Sequence, residues 1–250
     1  MMKIITFLSD FRYNDWFVAA VKGEILKINN SVVIVDISHT VHPHDIHCAA
    51  FILKCVYKDF PPGTVHLSVV DPGVGSERKP LIVKSDGYYF VGPDNGIFSY
   101  IYNEQSEIYA IKITDGMSST FHARDVFGPV AAKLTKDKKP EDLGIKIRDF
   151  VTFGFPQPQR KADTICGEIV YVDYFGNCIT NIENSTHITE LHIKKNQIAV
   201  KNFYGEGLPG EIICVRGSSG YYEIACNRGN ACNILHVKTG TKVVAHTDVK

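Results

Sequence analysis

Residues 32–60, VVIVDISHTVHPHDIHCAAFILKCVYKDF, contain the change of hydrophobic period that decides the fold. VVIVDIS (32–38) is β-branched and almost wholly apolar, which reads as a short buried strand. A turn rich in histidine and proline follows, and DIHCAAFILKCVYKDF (45–60) then takes helical spacing. The same alternation extends outward. KIITFLS (3–9) is a strand and WFVAAVKGEILKI (16–28) is helical. GTVHLSVVD (63–71), PLIVKS (80–85) and YYFVGP (88–93) are strands, and VFGPVAAKLTK (126–136) is helical. Strands alternating with helices predict an α/β domain over 1–155, with a central, mostly parallel sheet. Ligands in such sheets sit at the carboxyl ends of the strands, where Asp10, Asp36 and Asp71 fall.

The pattern changes after FGFPQPQRKAD (153–163), whose prolines and lack of periodicity predict a linker over 156–163. ICGEIVYVDYFGNCITNI (165–182), HIKKNQIAVKNFY (192–204), GEIICVRGSSGYYEIAC (210–226) and TKVVAHTDV (241–249) are short strands with glycine turns. They predict a small antiparallel all-β, barrel-like domain over 164–250.

Composition narrows the function. Lys plus Arg and Asp plus Glu stand at 27 each in 250 residues, and that balance argues against a nucleic-acid surface. No apolar run approaches ~18 residues, so no membrane span is expected. MMKIITFLSDF breaks at Asp10 and is too short for a signal peptide. Seven cysteines without a CxxC pair read as reduced thiols of a cytoplasmic protein.

Five stretches offer chemistry. In VVDPGVGSERKPL (69–81), a strand ends at Asp71 and a glycine-rich turn leads to Arg78. A carboxylate and a guanidinium from one tight loop can position a small nucleophile, or can simply form a loop salt bridge. VGPDNGIFSY (91–100) reads as a turn, and TFHARDVFGPVAA (120–132) sets His122 ahead of a helix. VDYFGNCITNI (172–182) opens the second domain. RGSSGYYEIACNRGNA (216–231) lacks a Walker lysine, and no GxGxxG precedes a helix, which disfavours nucleotide-phosphate binding. The histidines of HTVHPHDIH (39–47) follow no zinc spacing and do not share one face, so they read as polar loop residues.

Taken in order, LSDF…D (8–15), VVIVDISH (32–39), VVDPGVGSER (69–78), VGPDNG (91–96), FHARDVFGP (121–129), DYFGN (173–177) and SSGYYEIACNRGNA (218–231) resemble the S-adenosyl-L-methionine hydroxide adenosyltransferases. These are the SAM hydrolases, relatives of fluorinase and chlorinase. The resemblance implies attack of water or hydroxide on the ribose C5′ of S-adenosylmethionine, giving adenosine and L-methionine without metal or organic cofactor. It implies a homotrimer in which each site lies between the N-terminal domain of one subunit and the C-terminal domain of the next. The family's catalytic set falls on Asp71, Arg78 and His122, with either Asp71 or His122 as proton acceptor.

Substrate roles carry over in the same way. Asp10 matches the ribose-diol carboxylate, and Asp15 and Asp173 match positions near the methionine ammonium. His44 matches a pocket-wall position beside the ribose. Phe175 and Asn177 match the nucleoside-facing loop, Ser218 the methionine-end turn, and Tyr204 or its neighbour Phe203 the adenine-stacking ring. Two departures concern loop shape: Arg12 and Ala123 stand where glycine is common. Halide transfer on the same fold and non-catalytic ligand sensing are the alternatives. The complete Asp–Arg–His set favours hydroxide over halide.

Overall fold

In the computed structural model, which describes residues 3–113 and 116–247, the chain divides into two units, 1–154 and 155–250. The first is built on a seven-stranded sheet ordered β2-β1-β3-β5-β4-β6-β7. Its strands are β1 (Ile4–Ser9), β2 (Val33–Ser38), β3 (Val65–Val69), β4 (Pro80–Ser85), β5 (Tyr88–Pro93), β6 (Glu107–Ile111) and β7 (Gly144–Ile147). β1, β2, β3 and β5 pair in parallel, while β4, β6 and β7 add antiparallel ladders. Five strands therefore run one way, and β4 and β7 run against them.

Side chains alternate across this sheet and feed two cores. Ile5, Phe7, Leu67 and Ile82 pack with Val21 and Ile25 of α1 (Phe17–Ile28) and with Ala131 of α3 (Gly128–Thr135). Leu8, Leu81 and Val83 pack on the other side with Ala49 and Leu53 of α2 (Ile46–Val56). Each large side chain removed from water in this way contributes roughly 1.5–3 kcal/mol. Asp45 ends the histidine turn and caps α2, accepting from the Cys48 N–H at 2.9 Å. A short helix, α4 (Pro140–Leu143), precedes β7.

The second unit contains β8 (Gln159–Lys161), β9 (Thr164–Val172), β10 (Cys178–Glu183), β11 (Glu190–Ile193), β12 (Asn196–Lys201), β13 (Ile212–Arg216), β14 (Tyr221–Cys226) and β15 (Lys242–His246). A short α-helix, α5 (Ala231–Leu235), follows β14. The order is β10-β14-β13-β12-β11-β15-β9-β8, and a β9–β10 pairing closes seven of the strands into a barrel. The barrel is mixed, which corrects the antiparallel expectation: β12 and β13 run parallel, with Val200 beside Cys214. A tight hairpin enforces antiparallel pairing. Here the connection is longer, with a 3₁₀ turn at Tyr204–Glu206, and it returns the chain before β13 begins. Within 156–163, read as linker, β8 pairs with β9. Of the strand expected over 241–249, Asp248 and Val249 lie outside the described residues.

Candidate active site

The first unit gathers an Asp–Arg–His cluster at the end of β3. The loop after β3 folds tightly: Val74 N–H donates to Asp71 O at 3.3 Å, and Ser76 N–H donates to Gly73 O at 3.0 Å. Gly75 has φ +78°, and a Cβ there would stand 2.1 Å from Ser119 O, so the loop lies flush against the segment that leads to His122. The PDNG turn braces both ends of the loop. Asn95 Nδ2 donates to Val70 O at 2.8 Å, and Asp94 N–H donates to Lys79 O at 2.8 Å.

Braced in this way, Arg78 returns to Asp71. Its Nε donates to Asp71 Oδ1 at 2.9 Å, and its Nη2 donates to Oδ2. Nη2 also stands 2.9 Å from His122 Nδ1. Only 9% and 5% of the Arg78 and Asp71 side chains remain exposed, so the ion pair is shielded from solvent screening. Phe127 packs under the guanidinium, 5.2 Å from ring centroid to Cζ. Arg78 Nη1 is buried with no protein acceptor among the described residues.

A guanidinium has only hydrogens to offer, so His122 Nδ1 accepts and the ring proton sits on Nε2. Burial, then the Arg78 charge, holds the imidazole below the ordinary histidine value, so the ring is neutral near neutral pH. A turn of π-helix, Ala123–Phe127, follows His122 and leads into α3. Single π-helical turns are frequent at functional sites. Asp71 and His122 share a cavity of about 190 Å³ with Phe11, Phe17, Val69, Val74 and Phe121. Thr120 also lines it, and apolar walls around a few polar groups are the usual make-up of a small-molecule pocket.

Asp10 follows β1 and accepts from the His44 N–H at 3.0 Å. His44 thus meets Asp10 through its backbone, at φ +69°, with its side chain exposed. Neither residue lines the 190 Å³ cavity. Arg12 has φ +59°, which explains why the resemblance expects glycine there. Ala123 sits in the π turn with ordinary backbone, so the second departure from glycine strains nothing. Asp15 is exposed. Asp36 lies inside β2, held by Lys22 at 2.6 Å and Tyr13 at 3.0 Å, and serves the fold. The histidines of 39–47 do not converge: His39 is wholly buried against Ser9, at 2.7 Å, while His47 packs against Phe153 with the rings tilted.

The second unit carries a separate pocket of about 480 Å³, lined by Asp173, Phe175, Asn177, Tyr204 and 226–229. Asp173 and Asn177 hold one another. Asp173 Oδ1 accepts the Asn177 N–H at 2.8 Å, and Oδ2 accepts its side-chain amide at 2.9 Å. Gly176 permits the turn at φ +85°, where a Cβ would stand 2.1 Å from Asn230. Phe175 is 71% exposed and Tyr204 47%, so both rings are open to a ligand. Tyr204 lines the pocket and Phe203 does not. Ser218 is exposed in the turn between β13 and β14.

Sequence reading missed Glu223. It is buried on β14 and accepts from the Tyr204 hydroxyl, and burial pushes its carboxyl above the ordinary value. Its signal was a lone carboxylate inside the apolar run YYEIAC.

Comparison with known proteins accounts for both units. Residues 5–144 match the SAM hydroxide adenosyltransferase N-terminal domain, and 167–244 match the C-terminal domain. A protein of Methanocaldococcus jannaschii named (R)-S-adenosyl-L-methionine hydrolase is 35% identical, over 95% of this chain and 93% of its own. A fluorinase of Nocardia brasiliensis is 24% identical over 96% of this chain and 95% of its own. Among solved structures, an uncharacterized conserved protein from Thermotoga maritima superposes with TM-score 0.89 at 32% identity, covering 97% of this chain and 99% of its own.

Proposed function

This chain belongs to the SAM hydroxide adenosyltransferase family, and from that premise we infer that it hydrolyses S-adenosyl-L-methionine with Asp71, Arg78 and His122 at the attacking water. The products are adenosine and L-methionine. The observation that carries the residue assignment is the buried Asp71–Arg78–His122 chain, whose two end members, Asp71 and His122, line one cavity.

The reaction is an in-line displacement. Water oxygen bonds to C5′, the C5′–S bond breaks, and its electron pair neutralises the sulfonium. The leaving group is then a neutral thioether and needs no acid. What remains is to hold one water and remove its proton. Nε2–H of His122 is the free donor of a ring whose Nδ1 is engaged by Arg78, so His122 orients the water oxygen. Asp71 keeps lone pairs beyond those that Arg78 uses, and it takes the proton. Arg78 locks both partners in place. No metal or cofactor is assigned a part.

Asp10 grips the ribose hydroxyls, with Asp15 near the methionine ammonium and His44 beside the ribose. In the second unit, Phe175, Asn177 and Tyr204 take the nucleoside, while Asp173 and Ser218 face the methionine end. Both oxygens of Asp173 already serve Asn177, so its first task is to shape the loop. We assign the two half-sites to a homotrimer that assembles them between subunits. Large side chains open to solvent in the single chain support this, notably Trp16 at 57% and Phe175 at 71%. Among the described residues no helix is long and apolar enough to cross a membrane. The seven free cysteines support a cytoplasmic location.

The test is product analysis with each sulfonium epimer, since the relatives are named for the (R) form. Adenosine and methionine should appear in equal amounts, with chelator and with chloride alike. A chlorinated nucleoside, or activity lost to chelator and restored by zinc, would contradict this reading.

A further inference from the structure

Strand register brings Glu190, His192 and His246 to one face of the barrel. Glu190 and His192 are two residues apart on β11 and point the same way. In the β11–β15 ladder, Glu190 lies opposite His246. One donor atom from each residue falls within 4.8 Å of the other two. His192 Nε2 is 2.9 Å from Glu190 Oε1, and the two imidazole centroids are 4.5 Å apart. Gln197, on β12, donates to Glu190 Oε2 and leaves Oε1 facing His192.

We propose that Glu190, His192 and His246 form a binding site for a divalent transition-metal ion, zinc fitting best, that ties β11 to β15. Zinc bonds nitrogen and oxygen donors at about 2.0–2.1 Å, which places donors of a tetrahedron about 3.3 Å apart. The donors here, from 2.9 Å to within 4.8 Å, bracket that spacing. Two imidazoles and one carboxylate suit zinc, nickel or copper, whereas magnesium and calcium want shells of oxygen. All three side chains are partly exposed, which gives the ion an entry path and leaves its fourth position to water. Gln197 acts as the outer partner that orients the carboxylate. None of the three residues lines either cavity, so the ion takes no part in the hydrolysis.

Calorimetric titration of the metal-stripped full chain with zinc chloride, at mildly alkaline pH, tests the site. About one zinc per chain should bind, and magnesium should give no heat. His192→Ala, His246→Ala and Glu190→Gln should each weaken zinc binding by at least about tenfold. Zinc should also raise the melting temperature of the parent chain but not of these variants. Glu190→Gln keeps shape and volume, so a lost site in that variant is separable from a lost fold. Absence of zinc binding, or variants that bind as the parent does, would overturn the proposal and place any bound ion on other histidines.

Discussion

Nη2 of Arg78 lies 2.9 Å from Nδ1 of His122, and this contact fixes the proton of the imidazole on its other nitrogen. A histidine with Nε2 already protonated, and with Nδ1 filled by a guanidinium, is a donor and a poor base. In the proposed mechanism, the proton of the attacking water therefore goes to Asp71. The same arginine binds Asp71 through two nitrogens, so one side chain sets the geometry of both partners.

If His122 acts by donating from Nε2, glutamine can replace part of that function and alanine cannot. His122→Ala should lower kcat by roughly 10²–10³-fold with KM nearly unchanged, the loss typical of a donor that matters in the transition state. His122→Gln should recover at least about tenfold of that loss. Equal activity of the two variants in steady-state assays would return the role of base to His122.

The pH profile follows from the lowered pKa of His122. Its working form is neutral, so activity is held above the folded-state pKa and lost as pH falls through it. The pKa lies below the ordinary histidine value of about 6.5, and the acid limb that belongs to His122 should too. Stability moves in the same direction. The unfolded chain takes up the proton first, so this histidine costs stability as pH drops below about 6.5. A limb centred above that value, or one that persists unchanged in His122→Gln, would contradict the assignment.

Arg78→Lys keeps the charge and loses the fork. An ammonium cannot hold both oxygens of Asp71 and Nδ1 of His122 in the guanidinium's geometry. Loss of a charged hydrogen bond costs about 1.5–3 kcal/mol, so kcat should fall roughly 10–100-fold. Calorimetry should find substrate affinity little changed. A variant with full turnover would show that the arginine is a loop brace only.

Arg12 offers a test of backbone strain. Its φ of +59° costs an L-residue about 1–2 kcal/mol, while glycine gives back about 0.5–1 kcal/mol in unfolded-chain entropy. Arg12→Gly should therefore leave activity intact and shift stability by between zero and about +1.5 kcal/mol. The N–H to His39 O bond, 2.7 Å, is retained. A melting temperature lowered by several degrees would mean that the arginine side chain supplies a contact that outweighs the strain.

The sequence made some of this legible and concealed the rest for physical reasons. The Asp71–Arg78 loop was readable because its glycines advertise a turn that only glycine tolerates, as Gly75 demonstrates. His122 looked like an ordinary loop histidine, and only its place in the order of motifs marked it. Its contact with Arg78 joins residues far apart in the chain, which no local pattern records. Glu223 was hidden by alternation. In a two-residue period it reads as an outward polar position, yet every residue of β14 is buried. The parallel β12–β13 pair was equally invisible, since direction is set by the path of the connection and not by strand composition. His44 gave no warning of its left-handed backbone: no glycine marks the position, and histidine, though enriched among the few non-glycine residues found there, mostly adopts other conformations.

The central claim is that a water held by Asp71 and His122 attacks C5′. The most direct measurement is a turnover in water enriched in heavy oxygen, with mass spectrometry of the adenosine formed. One labelled oxygen at the 5′ position, incorporated in every product molecule, is the predicted result. Adenosine without label, or cleavage that leaves sulfur attached to C5′, would contradict the account.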